Sequence, residues 1–134
     1  MTRLAGIHHV KLPVSDVAAS RDWYQRTLGL ELDIEFVEEG RTIGVALRDP
    51  GRTLCIALRA DPERVAAMKG FDPLAMGVST REELERWRDQ LDGLGEHHGG
   101  IVQGHQGWAL IGLHDPDGTE IRLYTLERHD NGGS

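Results

Sequence analysis

A stretch near the start of the chain returns about halfway along it, and this repeat limits the fold more than any other feature. HVKLPVSD, from His9, lines up with PLAMGVST, from Pro73, and Trp23 lines up with Trp87, both at an offset of 64 residues. VALRDPGRTLCIAL, from Val45, lines up with IGLHDPDGTEIRLY, from Ile111, at an offset of 66. A drift of two residues is what a change in loop length produces. A chain that repeats itself once in this way is expected to consist of two like modules.

The first copy reads as a strand followed by a helix. Ile7, Val10, Leu12 and Val14 approximate the two-residue alternation of a strand, with His9 and Lys11 on the other parity and His8 opposite His9. Ser15 or Asp16 offers a helix N-cap, Val17, Ser20, Tyr24 and Leu28 recur at helical spacing, and Gly29 fits a C-cap. Leu30 to Val37, TIGVALRD and TLCIALRA then read as three strands, separated by the turns EEGR and DPGR. The connector DPERVAAMKGFD reads as a linker with one turn of helix. The pattern then restarts. Leu74 to Val78 is a strand, Thr80 and Glu83 form a capping box, and Leu84, Trp87, Leu91 and Leu94 carry a helical stripe. Strands follow near 100–103, 108–114 and 119–126, and the tail ERHDNGGS is expected to fray.

The predicted fold class is therefore α+β: two βαβββ modules forming a concave, half-open mixed sheet, with the ligand on the concave face. One domain spans residues 1–134, with module one at about 5–60, a connector at 61–72 and module two at about 73–126.

Composition narrows the function. A net charge of −7 argues against nucleic acid or an anionic membrane as partner, since both need a basic face. No apolar run approaches the length of a spanning helix, and MTRLAGIHHV carries no apolar signal-type core. Cys55 is the single cysteine, so no internal disulfide can form, and a reducing cytoplasm is the expected location. Cys55 lies in the apolar run TLCIAL and reads as buried filler.

With HHVKLPVSD, the helix ending TLGL and DPDGTEIRLY together, the chain resembles the vicinal oxygen chelate family: the glyoxalase, bleomycin-resistance and extradiol-dioxygenase group. The resemblance covers about residues 6–126. It implies the glyoxalase/bleomycin-resistance fold and a homodimer. It also implies a metal site in the metal-dependent members, with one ligand on the first strand and one on the fourth strand of each module. The first-strand ligand is matched by His9. Its repeat partner falls on Pro73, the last-strand ligand on Arg122, and the remaining one on Ile56 or Ala57. Three of these four positions lack a suitable donor, and a guanidinium repels a metal ion. No metal and no other cofactor is expected.

The concave face would carry His9, Lys11, Glu120, Arg122 and Tyr124, with apolar wall from Val45, Leu47, Ala75 and Met76 and room at Gly77. His9 as general base and Arg122 as oxyanion stabiliser make a candidate catalytic pair. Lys11, Glu120 and Tyr124 are candidate ligand-binding residues, and Trp108, after the glycine-rich GGIVQGHQG loop, a candidate lid. Two readings of these cations stay open, an anchor for an anionic ligand and an internal ion pair, Arg122–Glu120 or Lys11–Glu120. The leading expectation is a metal-free protein that binds a small apolar or anionic molecule. The alternative is a lyase, isomerase or dioxygenase-type enzyme that uses either His9 and Arg122 or a metal site rebuilt from His9, Glu120 and a further histidine. A regulatory homodimer with a vestigial pocket is the third reading.

Overall fold

The computed structural model describes residues 1–129, so residues 130–134, the end of the tail expected to fray, lie outside the described residues. In chain order the elements are β1 (Val10–Val14), α1 (Val17–Leu28), β2 (Glu31–Glu38), β3 (Arg41–Arg48), β4 (Cys55–Ala60), α2 (Pro62–Met68), β5 (Leu74–Val78), α3 (Arg81–Gly93), β6 (Ile101–Gln103), β7 (Trp108–His114) and β8 (Glu120–Thr125). Two βαβββ units result, each with its own four-stranded mixed sheet. Contacts divide the chain at Met1–Ala66 and Ala67–Ser134. No helix among the described residues is long and apolar enough to cross a membrane.

In unit 1 the strand order is β1-β4-β3-β2, with β1 parallel to β4 and the other pairs antiparallel. Asp16 caps α1 by accepting the Ala19 N–H at 3.1 Å, and Gly29 closes it at φ 72°, a conformation that a Cβ disfavours. The helix lays Trp23, Tyr24 and Leu28 on one face of the sheet, where Leu12, Val14, Val45, Leu47, Ile56 and Leu58 are buried. Strand β2 is the sheet edge, and all eight of its residues are exposed.

Unit 2 repeats the order as β5-β8-β7-β6. Thr80 caps α3 by accepting the Glu83 N–H at 3.1 Å, and Leu84 and Leu91 are buried beside Leu110, Leu113, Ile121 and Leu123. Trp87, by contrast with its repeat partner Trp23, is only half-buried.

Three local readings need correction. The first strand begins at Val10 rather than Ile7, so His8 and His9 precede the pleat and its alternation does not govern them. The connector forms the seven-residue helix α2, with Asp61 accepting the Arg64 N–H at 3.3 Å as its entry. The tail is tied down as far as His129: Leu126 donates to the Val78 carbonyl at 2.7 Å, Glu127 to Ser79 at 3.0 Å and His129 to Gln106 at 2.9 Å.

Strand pairing refines the repeat. Lys11 pairs with Ala57 in unit 1, and Ala75 pairs with Arg122 in unit 2. Leu47 pairs with Ile56, and Leu113 with Ile121. The offset of 66 therefore holds for Leu47 and Leu113 but is 65 for β4 and β8, because the turn after Asp115 is one residue shorter than the turn after Asp49. Each of these aspartates starts its turn by accepting backbone N–H groups: Asp49 from Thr53 and Leu54 at 2.8 and 2.7 Å, Asp115 from Asp117 and Thr119 at 2.9 and 3.0 Å. Strand β7 also carries an extra residue between Leu110 and Leu113, a bulge that lies opposite Arg122. Ala57, and not Ile56, is thus the counterpart of Arg122.

Candidate functional site

In unit 1 alternate residues of β3 and β4 point away from α1. Val45, Leu47 and Ile56 are wholly buried on the α1 side, so they supply no wall to a pocket on the other face. Ala46 and Ala57 do. Together with His8, His9, Asp33, Ile34, Phe36, Arg48 and Cys55 they line a cavity of about 120 Å³. Ile34 and Phe36 reach this face because β2 shifts register between Leu32 and Ile34, which pairs Ile34 with Ala46 and Phe36 with Gly44. Both stay substantially open, at 47% and 44% exposure.

His8 joins His9 at this pocket, with their Nδ1 atoms 2.9 Å apart and the rings edge to face. Because both residues lie outside the strand, the chain can bring two neighbouring side chains to one site. Asp33 and Arg48 form an ion pair at 2.9 Å, with Arg52 a second cation at 3.8 Å from Asp33. The hydrogen bond that Arg48 donates to Asp33 raises the Arg48 pKa, with the neighbouring Cys55 adding to it, so the guanidinium stays charged. Lys11 shares this face, level with Ala57, and is exposed.

In unit 2 the corresponding face holds Glu120, Arg122 and Tyr124, brought together as their parity on β8 predicts. Arg122 Nε donates to Glu120 Oε2 at 2.7 Å, and one terminal nitrogen lies 3.5 Å from an Asp72 oxygen. That nitrogen also donates to the Tyr124 hydroxyl at 3.3 Å. Glu120 Oε2 accepts a further bond from the Gly112 N–H at 2.9 Å, supplied by the bulge in β7. The Arg122 hydrogen bond holds the Glu120 carboxyl below its ordinary range; burial opposes this shift, and the Gly112 N–H assists it. The same contact, with Tyr124 second, raises the Arg122 pKa. The guanidinium is thus faced by two carboxylates.

Trp108 lies apart from that cluster. The Arg81 guanidinium covers its ring at 4.9 Å from the centroid, and His129 meets it edge-on at 5.7 Å. Of the candidate residues, His9 and Lys11 belong to unit 1 and Glu120, Arg122, Tyr124 and Trp108 to unit 2. Ala75 and Gly77 lie on the Arg122 face, whereas Met76 pairs with the buried Leu123.

Sequence reasoning missed His8, the Asp33–Arg48 pair and the Ile34–Phe36 wall, all of which depend on a strand start or a register shift. It also missed Asp72 as a partner of Arg122; its position just before Pro73, in the place of His8 in the other copy, was the available signal. Among the described residues no three His, Cys, Asp or Glu side chains gather into a group able to hold a metal ion.

Comparison with known proteins places the fold. A glyoxylase/bleomycin resistance protein/dioxygenase domain from Frankia sp. EAN1pec is 22% identical with a TM-score of 0.73, over 96% of this chain and 95% of that one. A lactoylglutathione lyase from Agrobacterium tumefaciens is 15% identical with a TM-score of 0.72, over 93% and 96%. An antibiotic binding protein from Streptomyces sp. CB03234 is 20% identical with a TM-score of 0.70, over 92% and 98%. At such identities the likeness is one of fold. No curated protein matches the sequence. The model of the Glyoxalase/Bleomycin resistance protein/Dioxygenase superfamily matches residues 6–123, and the chain belongs to that superfamily.

Proposed function

We propose that this protein binds a small molecule on the His9 face of unit 1 and does so without a metal ion. The observation that carries the reading is the donor set. At the pocket position beside His9 stands Ala57, whose methyl group has no lone pair, and its counterpart Arg122 is a cation already bonded to Glu120. Pro73 completes a set in which only His9 can coordinate. These residues do not fit a divalent ion, which needs about three protein donors. What remains at His9 is a small apolar cavity with imidazoles and an ion pair in its lining. In this proposal the protein acts as a cytoplasmic homodimer, a state that sedimentation would test.

Elemental analysis of chelator-free protein, grown with added iron, manganese, nickel and zinc, tests the reading. The expected result is substoichiometric metal. Roughly one ion per chain, lost in His9→Ala, would overturn it.

A second reading is favoured by the His8–His9 hydrogen bond. With its Nδ1–H donated to His8, His9 has a bare Nε2 held in place to take a proton, and in this reading it serves as a general base in a metal-free proton transfer. Full turnover by His9→Ala on an identified substrate would exclude that role.

A further inference from the structure

We infer that the unit 1 pocket selects a neutral, single-ring molecule bearing one hydroxyl, a phenol in chemical class, whose oxygen meets the coupled imidazoles of His8 and His9. This rests on the proposal that the pocket binds a ligand.

Size sets the first limit. The cavity measures about 120 Å³, and an apolar cavity of about 150 Å³ holds benzene. One ring fits with its polar edge at the rim. Ile34, Phe36, Ala46 and Ala57 offer that ring apolar contact.

Charge sets the second. The cation lining the pocket, Arg48, is already bonded to Asp33 at 2.9 Å. A carboxylate entering here would compete with Asp33 for Arg48 and be repelled by Asp33 itself. A cation would meet Arg48 and Arg52 in the same way. A neutral molecule meets neither cost.

The imidazole pair sets the third. A hydrogen bond between two Nδ1 atoms needs a proton on one and a lone pair on the other. In two neutral rings the Nδ1 donor must then have a bare Nε2, and the Nδ1 acceptor must carry its proton on Nε2. The pair therefore offers one acceptor and one donor at its outer nitrogens. A hydroxyl both gives and takes a hydrogen bond and can satisfy either ring. A carboxylate can only accept, and a hydrocarbon does neither.

The test is titration of the full-length protein with phenol, toluene and benzoate at one pH, read by calorimetry and by the imidazole signals of His8 and His9 in NMR spectra. Phenol is expected to bind about tenfold more tightly than either comparison compound, the effect of one hydrogen bond. His8→Ala together with His9→Ala, which removes both rings a hydroxyl could bond, should bring phenol down to the affinity of toluene. Ala57→Leu, which fills the pocket, should abolish binding of both in protein whose far-ultraviolet circular dichroism is native. Tighter binding of benzoate, or equal binding of toluene and phenol, would overturn the inference and leave the pocket as a binding site. No response to any of the three compounds by folded wild-type protein would overturn the inference and the binding proposal together.

Discussion

The two units share strand order and helix position, yet the faces turned away from their helices are chemically opposite. Unit 1 presents small residues, Ala46 and Ala57, and the space they leave is a cavity. Unit 2 puts a bulge and Arg122 at the corresponding places and fills that level: Arg122 donates to Glu120 and Tyr124 and pairs with Asp72, and the Gly112 N–H donates to Glu120. A small side chain at position 57 leaves room for something from outside. A long one at position 122, with a partner for each guanidinium nitrogen, directs these hydrogen bonds inside the unit. One scaffold thus supports a receptive face and a self-satisfied one.

The sharpest way to break this contrast is at the bulge. Gly112 has φ 75°, and a Cβ there would lie 2.7 Å from the Gly99 nitrogen. Gly112→Ala is expected to cost about 3 kcal/mol, from left-handed strain and overpacking together, measured by urea unfolding. It should also misplace the N–H that Glu120 accepts.

Next comes the ion pair. Arg122 and Glu120 side chains are 29% and 13% exposed, so solvent weakens but does not erase their attraction. Arg122→Met is expected to destabilise by about 2 kcal/mol. Adding Glu120→Gln to it should recover part of that loss, because the stranded carboxylate is then gone. Additive losses in the double-mutant cycle would show that the two groups act independently.

Removing the caps should cost the units equally. Asp16→Ala in unit 1 and Thr80→Ala in unit 2 are each expected to cost about 1 kcal/mol, seen as a lowered Tm. Unequal losses would show that helix docking, and not only the inward face, differs between the units.

The smallest expected effect is acid sensitivity. Glu120 has a folded pKa lowered from 4.5, so its contribution is fully present above the unfolded value. It is lost as the pH falls through the lower folded value. Wild-type Tm should therefore drop more steeply than that of Glu120→Gln once the pH passes below about 4.5. Parallel curves would remove Glu120 from the account.

Much of this was legible in the chain. The repeat, the caps at Asp16 and Thr80 and the turn aspartates are local patterns, and local patterns survive in sequence. Glu120, Arg122 and Tyr124 were placed on one face by parity alone. What escaped depends on register between distant segments. Whether Ile56 or Ala57 matched Arg122 could not be read without the shorter turn. Ile34 reaches the pocket only through a shift in β2, and His8 joins His9 only because β1 starts one residue after the pair. Periodicity assumes an unbroken strand, and each of these residues sits where the strand is broken or has not begun.

Strand β2, which gives the pocket Ile34 and Phe36, also leaves an unpaired backbone edge along a segment, ELDIEFVE, rich in large apolar residues. Such an edge invites another chain to add to it. Its acids guard against this. Were a second copy to align antiparallel and centred on the same strand, Glu31 would face Glu38, and like charges would hold the two apart. The guard is a property of solution conditions as much as of shape. Acid removes the charges and concentrated salt screens them, so handling the protein under either would expose a sticky strand that neutral, dilute buffer keeps quiet.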